Sequence, residues 1–245
     1  MLETIGNAYI NGLIPRIMTK TSGGFALAFF IAGLILCALI GYVLGSLNFA
    51  LILSKKMYGE DIRNHGSKNA GTTNMMRTYG KKAAFLTILG DILKGIVAVA
   101  IGAFAMGNVL GGYLSGLFCV IGHVFPVFYG FKGGKGVATA AAVILMLNPF
   151  VFLFVLGVFV ITVILSRYIS LGSVLSAAVF PLLTFYTYFG TTEYIPYKGF
   201  AFLFSFLMAL LVIIKHRTNL SRLAHGTESK FSFVKSKKPE NKDKE

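Results

Sequence analysis

The stretch GVATAAAVILMLNPFVFLFVLGVFVITVIL, residues 136–165, contains no charged residue and decides how many times the chain crosses a membrane. A membrane-crossing helix needs about 20 apolar residues, so this stretch is too long for one ordinary crossing. Asn148-Pro149 lies in its middle, and Pro after Asn is a turn signal. We therefore divide it into two predicted spans, at about 136–147 and 150–165.

The rest of the chain has the same apolar character. It is 56% hydrophobic with a mean hydropathy of +0.75, and 13% of its residues are charged, against about 25% in a typical soluble domain. The 245 residues leave room for one bundle and for no separate soluble domain. Five further apolar runs lie at about 25–54, 83–106, 109–129, 170–190 and 199–214. The sequence thus predicts an all-α integral membrane protein, a bundle of seven transmembrane helices.

The basic residues predict the orientation of this bundle. With seven spans, one face carries all but four of the 23 Lys and Arg residues. The four others are Arg16, Lys20 and Lys198 on the opposite face and Lys94 inside the second span. The positive-inside rule then places the N-terminus outside and the C-terminus in the cytoplasm. A single crossing at 136–165 would send a basic loop or the basic tail outside, which favours the division at Asn148-Pro149.

The predicted membrane domain covers residues 25–227. Residues 1–24 form an N-terminal extension to which we assign no role. Residues 228–245 are rich in Lys and are predicted to be a disordered tail attracted to anionic lipid.

The net charge of +14 raises the possibility of a nucleic-acid partner. The sequence argues against it, because the basic residues are spread over short loops and a tail without interleaved aromatic residues. Cys37 and Cys119 lie inside apolar runs and are interpreted as small buried hydrophobes. No Cys/His cluster or carboxylate pair offers a metal site, so neither a metal nor a cofactor is expected.

A polar loop between the first two spans, residues 58–77, carries groups that bind phosphate. These are Ser67, Lys68, Asn69, Thr72, Thr73, Asn74 and Arg77. A helix beginning near Thr73 would present free backbone amides to an anion and would bring Arg77 to the same face one turn later. The alternative is a solvated connector that ends in a helix cap.

A second polar loop, Gly130-Phe-Lys-Gly-Gly-Lys-Gly136, also suits an anion. It differs from a Walker loop, because its glycine spacing is one residue short and Gly136 occupies the Ser/Thr position. Glycine amides together with Lys135 therefore predict a phosphate site without nucleotide. The alternative is a basic turn on the cytoplasmic face.

Three weaker features complete the pattern. His216 and Asn219 are three residues apart and would share a helix face, although a basic helix end at the interface has the same composition. Ser170 follows the next cytoplasmic turn. Asp91 and Lys94 lie inside the second span and should pair or face the bundle interior, because a lone charge in lipid is costly.

Together these segments resemble the bacterial membrane glycerol-3-phosphate acyltransferases that use acyl phosphate as the acyl donor. The resemblance covers about residues 45–230 and is carried by Gly45-Ser-Leu-Asn48, Asp61-Ile-Arg63, Gly66-Ser-Lys-Asn-Ala-Gly-Thr-Thr-Asn74 with Arg77, Gly122-His-Val-Phe-Pro126, Phe131-Lys-Gly-Gly-Lys-Gly-Val-Ala-Thr139, Arg167-Tyr-Ile-Ser170 and His216-Arg-Thr-Asn219. Two positions depart from the family pattern: Lys68 and Thr72 stand where the family usually has Gly and Ala.

The resemblance implies transfer of an acyl chain from acyl phosphate to the 1-hydroxyl of sn-glycerol 3-phosphate, giving lysophosphatidic acid in phospholipid biosynthesis. It implies a site on the cytoplasmic side of the bacterial cell membrane, and a soluble enzyme that makes acyl phosphate is a further expected partner. The implied catalytic residues are Lys135, Ser67 and Arg77. The implied substrate-binding residues are Asn69, Thr73, Asn74, Gly133, Gly134, Ser170, His216 and Asn219.

Within that set, the resemblance assigns the donor phosphate to Thr73, Gly133, Gly134 and Lys135. It assigns glycerol phosphate to Ser67, Arg77, His216 and Asn219. Catalysis by the coenzyme-A-dependent glycerolipid acyltransferases is not expected, because none of the four His residues has Asp at the fifth following position, as their His-x4-Asp motif requires.

Two other functions stay open from the residues alone. A transporter of a small phosphorylated solute would place its ligands near the bilayer midplane on broken helices, whereas the candidates here lie at one surface. A lipid-binding scaffold without catalysis would leave two glycine-rich basic loops unexplained.

Overall fold

The computed structural model describes residues 23–190 and 197–231, and all regular secondary structure in these ranges is helical. The α-helices are α1 (Gly23–Ser46), α2 (Phe49–Tyr58), α3 (Thr72–Tyr79), α4 (Lys81–Met106), α5 (Val109–Val124), α6 (Val137–Leu147), α7 (Pro149–Ser166), α8 (Ile169–Phe189), α9 (Lys198–Lys215) and α10 (Arg217–Ala224). Most of the predicted N-terminal extension, residues 1–22, and most of the predicted tail, residues 232–245, lie outside the described residues.

Six segments of the described chain are long and apolar enough to cross a membrane. They are Leu27–Tyr58, Lys81–Met106, Val109–Tyr129, Pro149–Ser166, Ile169–Phe189 and Lys198–Lys215. Helix α6 is apolar but has only 11 residues, about 16 Å at 1.5 Å per residue. The protein is therefore an all-helical, multi-pass integral membrane protein, as the composition predicted, with six full-length candidate spans and one short apolar helix.

The predicted division at Asn148-Pro149 is confirmed, because α6 ends at Leu147 and α7 begins at Pro149. The Asn148 side chain accepts a hydrogen bond from the Val151 amide at 3.0 Å, which caps α7. Pro149 occupies the first turn, where a missing N–H costs nothing. The local sequence alone accounts for this break.

The first predicted span, 25–54, is interrupted in a way that the apolar count did not indicate. Helix α1 ends at Ser46, and α2 begins at Phe49. The Asn48 side chain caps α2 by accepting from the Leu51 amide at 3.1 Å. Its amide group also donates to the Ala70 carbonyl at 3.3 Å, so the break is tied to the polar loop that follows.

Glycines bring the backbones of α1, α4 and α5 into direct contact. A Cβ atom on Gly41 or Gly45 of α1 would lie 2.2 or 2.0 Å from the carbonyl oxygen of Ser115 or Cys119 on α5. Small residues spaced four apart allow this close approach in membrane helices, where packing replaces the hydrophobic effect as the driving force. These contacts place the break after α1 directly beside the end of α5.

Helix α7 lies at the edge of the bundle. Val151 is its only buried residue, and apolar side chains such as Phe150, Ile164 and Leu165 are 60–80% exposed. In a bilayer these side chains face lipid. Helix α7 is thus held mainly by the neighbouring α8 and α6 along one side.

The glycine contacts make a stability prediction. A Cβ at Gly102 of α4 would lie 2.2 Å from the Gly111 carbonyl oxygen of α5, so Gly102→Ala should force the helices apart and cost about 1–3 kcal/mol. Gly157→Ala is the matched control, because a Cβ there meets nothing within 4 Å. Thermal unfolding in detergent should show a lower midpoint for Gly102→Ala and no loss for Gly157→Ala. Equal midpoints would contradict the backbone contact.

Candidate functional site

Asn74 holds the first polar loop in shape. Its side chain is buried, and its amide donates to the carbonyls of Ile62, His65 and Asn69 at 3.2, 3.0 and 3.0 Å. Its Oδ1 atom accepts from the Ser67 amide at 2.9 Å. The polar atoms of Asn74 are thus engaged within the loop, where they position it, and its predicted contact with substrate stays a prediction.

Arg63 joins the first polar loop to the second. Its guanidinium pairs with Asp61 at 2.7 Å and donates to the carbonyls of Tyr129 and Lys132 at 2.8 and 3.0 Å. The hydrogen bond from Arg63 holds the pKa of the Asp61 carboxyl below its usual value. A cleft of about 520 Å³ opens between the two loops and is bordered by Lys68 and Lys132, among other residues.

The second polar loop, residues 130–136 and here called the glycine loop, folds back onto the end of α5. The amides of Gly133 and Gly134 donate to the carbonyls of Val124 and His123 at 3.2 and 3.1 Å. A Cβ at Gly133 would lie 2.0 Å from the His123 carbonyl oxygen, and one at Gly134 would lie 2.2 Å from His123 Nε2. The glycines therefore permit close approach to α5.

The phosphate-binding role of these glycines stays a prediction, and the structure shows another use of their amides. We expected the amides of Gly133 and Gly134 to hold a phosphate, but both N–H groups are already donated to α5 carbonyls. Composition could not reveal this, because a glycine-rich loop that packs against a helix and one that cradles an anion have the same residues. What the glycine loop presents to the site is the Lys135 side chain.

Lys135 is linked to two of the other predicted site residues, directly to Asn219 and through Glu228 to Ser170. Its ammonium donates to Asn219 Oδ1. Asn219 in turn donates to Glu228 Oε1 at 2.6 Å, and the Ser170 hydroxyl donates to the same oxygen at 2.7 Å. Arg222 Nε pairs with Glu228 Oε2 at 2.6 Å. Segments far apart in the sequence are thus brought together, as the resemblance implied.

Glu228 is the residue that sequence reasoning missed. It was placed at the start of the predicted tail, yet it links α8 to α10 by bonding Ser170 and Asn219. Burial acts to raise the pKa of its carboxyl, but the hydrogen bonds from Asn219, Ser170 and Arg222 outweigh burial and lower the pKa. Its position as the only acidic residue in the basic stretch 215–230 was the signal that could have indicated it.

The surroundings of Lys135 disfavour its charged form. The pKa of its ammonium is lowered to about 8, mainly by burial; the carboxylate of Glu228 opposes this shift, and the charges of Arg222, Arg77 and Lys215 add to it. An anionic ligand beside Lys135 would relieve this repulsion. The arrangement is therefore suited to binding a phosphate or a developing negative charge.

His216 is buried beside Lys135 and is neutral at pH 7. Burial first, and then the charge of Lys135, lower the pKa of its imidazole to about 4. Its Nδ1 atom lies 2.8 Å from the Val212 carbonyl oxygen. Because a carbonyl only accepts, Nδ1 carries the hydrogen and Nε2 is left as an acceptor. His216 can thus receive a hydrogen bond from a hydroxyl and does not contribute a positive charge.

Helix α3 supplies the other side of the site. It begins at Thr72, as expected for a helix starting near Thr73, and its N-cap residue Gly71 provides no side-chain cap. Thr73 and Arg77 are exposed and one turn apart. The charge of Arg77 lowers the pKa of Lys135, so the two cations lie near enough to repel each other. Ser67 is exposed in the preceding loop, where Asn69 is half-buried.

Comparison with known proteins bears on this arrangement. The sequence model of a family described as glycerol-3-phosphate acyltransferase matches residues 35–226. The chain belongs to the glycerol-3-phosphate acyltransferase family. Two relatives named glycerol-3-phosphate acyltransferase support the assignment. The one from Trichlorobacter lovleyi is 47% identical over 192 residues, covering 78% of this chain and 93% of the relative. The one from Thermoanaerobacter pseudethanolicus is 42% identical over 196 residues, covering 80% and 94%.

Solved structures of the family share the fold. PlsY (YgiH), described as an integral membrane glycerol 3-phosphate acyltransferase, superposes in its glycerol 3-phosphate form with a TM-score of 0.72 at 35% identity. The match covers 81% of this chain and 96% of that chain. Its lysophosphatidic acid form matches with a TM-score of 0.69. The transporter alternative finds no support in these relatives.

The pKa of Lys135 leads to a prediction about pH. If catalysis needs the Lys135 cation, kcat/KM for glycerol 3-phosphate should be full below the pKa of about 8 and should fall as pH rises through it. Above that pH the fall should be about tenfold per unit. Lys135→Arg keeps a cation to above pH 12, so its remaining activity should lack this alkaline decline. The same decline in wild type and Lys135→Arg would exclude Lys135 as its source.

Proposed function

We propose that this protein transfers a fatty acyl chain from acyl phosphate to the 1-hydroxyl of sn-glycerol 3-phosphate. The observation that carries the proposal is the half-buried Lys135 ammonium bonded to Asn219, together with Arg77, whose charge lowers the pKa of Lys135 and which lies on α3, a helix with an uncapped start. Two phosphate-bearing substrates need two sources of positive charge at one place, and this site offers them. Membership in the glycerol-3-phosphate acyltransferase family supports the same reaction.

The chemistry of the donor means that the reaction does not need a strong general base from the protein. Acyl phosphate is a mixed anhydride with a good leaving group, so its carbonyl reacts with a hydroxyl more readily than a thioester does. The 1-hydroxyl oxygen forms an ester bond to the acyl carbonyl carbon, and the bond from that carbon to the phosphate oxygen breaks. Inorganic phosphate leaves and takes up the hydroxyl proton, while Lys135 stabilises the charge in the transition state.

The residues divide between the substrates in a way that the geometry supports. The start of α3 at Thr73 and the Lys135 ammonium suit the donor phosphate. Arg77 and Ser67 suit the phosphate of glycerol 3-phosphate. His216, with Nε2 as an acceptor, and Asn219 suit the glycerol hydroxyls.

Arg77→Ala and His216→Ala should accordingly raise the KM for glycerol 3-phosphate, whereas Lys135→Ala should mainly lower kcat.

The orientation belongs to the same proposal. We place the site on the cytoplasmic side of the bacterial cell membrane, with seven crossings in which α6 is the short one. The basic residues of the polar loops support this orientation.

Lys56→Cys and Lys198→Cys provide a matched pair for labelling with an impermeant maleimide, because the native Cys37 and Cys119 are buried. Intact cells should label only Lys198→Cys, and labelling of Lys56→Cys would reverse the orientation.

A soluble enzyme that makes acyl phosphate is the proposed protein partner. An anhydride is readily hydrolysed in water, which favours transfer directly at the membrane surface. Co-purification of the two proteins from cross-linked membranes would test the contact, and its absence under conditions of active lipid synthesis would argue against it.

The donor provides the decisive test of the reaction. Purified protein in detergent, given palmitoyl phosphate and radiolabelled glycerol 3-phosphate, should form lysophosphatidic acid, whereas palmitoyl-coenzyme A should give little product. Lys135→Ala is the control for the site and should lose about tenfold to a hundredfold, as expected from the 1.5–3 kcal/mol of a charge-assisted hydrogen bond. Comparable turnover with both donors would contradict the proposal.

A further inference from the structure

A buried cluster of three ionisable residues lies beneath the site and takes no part in the mechanism proposed above. Asp91 and Lys94 of α4 form an ion pair at 2.8 Å, and the Lys94 ammonium lies 2.8 Å from His123 Nδ1 on α5. All three residues are at most 5% exposed. The sequence predicted the pairing of Asp91 with Lys94 but gave His123 no partner.

Lys94 also satisfies backbone carbonyls at the break between α1 and α2. Its ammonium donates to the carbonyls of Gly45 and Leu47 at 3.1 and 2.9 Å. These carbonyls lie where α1 ends, and a carbonyl without a partner inside a membrane protein costs several kcal/mol. The ammonium thus has three hydrogen-bond acceptors, and Asp91 supplies the opposite charge, so the position of Lys94 is fixed from α1, α4 and α5 at once.

His123 connects this fixed point to the glycine loop. Because the ammonium of Lys94 can only donate, His123 Nδ1 accepts, and the hydrogen of the neutral ring is on Nε2. A Cβ at Gly134 would lie 2.2 Å from that Nε2 atom and 2.6 Å from the Ala70 carbonyl oxygen. The imidazole, the glycine loop and the first polar loop therefore meet at Gly134.

Stability does not account for the ion pair itself. A buried ion pair is often no more stabilising than apolar residues of the same volume, because desolvation offsets the attraction between the charges. What the ion pair supplies is a defined geometry: it fixes the ring of His123, against which Gly134 packs, and Gly134 in turn lies against the Ala70 carbonyl of the first polar loop. Lys135 follows Gly134 directly, so a displacement of Gly134 displaces the ammonium.

We infer that Asp91, Lys94 and His123 form a positioning unit that sets the distance between the glycine loop and the first polar loop, and so aligns the two substrates. The inference rests on the proposed role of Lys135. A misplacement of about 1 Å can cost about a hundredfold in rate, so loss of this unit should reduce catalysis in protein that remains folded.

The test uses variants that preserve volume. Asp91→Leu combined with Lys94→Met removes both charges together and leaves no unpaired ion, and His123→Phe keeps a ring while removing both nitrogens. Each should lower kcat at least about tenfold and raise the KM for palmitoyl phosphate. His123→Gln keeps an N–H donor near the position of Nε2 and should retain more activity than His123→Phe.

Tyr188→Phe is the matched control. It removes a hydroxyl from a different polar cluster, in which Tyr188 contacts Tyr113 at 3.0 Å and Asn148 at 3.2 Å. This variant should lower the unfolding midpoint without changing either KM or the kcat of folded protein. All assays are run well below the unfolding midpoint, so that a merely structural role would leave kcat and both KM values unchanged.

The outcomes separate the inference from the proposed function. Wild-type kcat and KM values in the double variant and in His123→Phe would overturn the positioning role. Near-normal turnover in Lys135→Ala would overturn the proposed site itself. If the double variant cannot be purified, the activities of His123→Gln and His123→Phe decide the question. Equal activity in the two variants would refute the role of the His123 ring.

Discussion

The direct backbone contact between α1 and α5 is the constraint on which the rest of the structure depends. Gly41 and Gly45 lie against carbonyls of α5, and a Cβ at Gly122 of α5 would lie 2.2 Å from the Tyr42 carbonyl oxygen of α1. The contact continues to the ends of both helices. It therefore brings the break after α1 and the glycine loop after α5 to the same level, where Lys94 and His123 fill the space between them.

Features that depend on neighbouring residues in the sequence were predictable. The apolar runs indicated the long helices. Asn148-Pro149 indicated a helix break, because the Asn148 cap and the proline act on neighbouring residues. Helix α3 begins at Thr72, close to the start near Thr73 that the polar residues indicated. Lys135, Ser170 and Asn219 were expected at one surface and do lie in one hydrogen-bonded group. The lengths of the apolar runs, the helix-capping residues and the distribution of charge along the sequence were sufficient to predict these features.

Features that depend on tertiary hydrogen bonds were not predictable. Asn74, Gly133 and Gly134 have the composition of ligands, but contacts to carbonyls of the chain already use their polar groups. Glu228 is a single acidic residue in a basic segment, and only the folded chain shows that it holds Ser170 and Asn219. A polar group in a loop has the same sequence signature whether its partner is the protein or a substrate.

The sparse packing of α7 gives the bilayer a route to the site. A bilayer that changes thickness is accommodated by helix tilt, and α7, in which only Val151 is buried, has few protein contacts to oppose tilt. Just beyond its end, the Arg167 carbonyl accepts from the Phe231 amide at 2.7 Å, and Ser170 holds Glu228. A change in the tilt of α7 would therefore be transmitted through residues 167 and 168, which join α7 to α8, to the hydrogen bonds around Glu228 and Lys135.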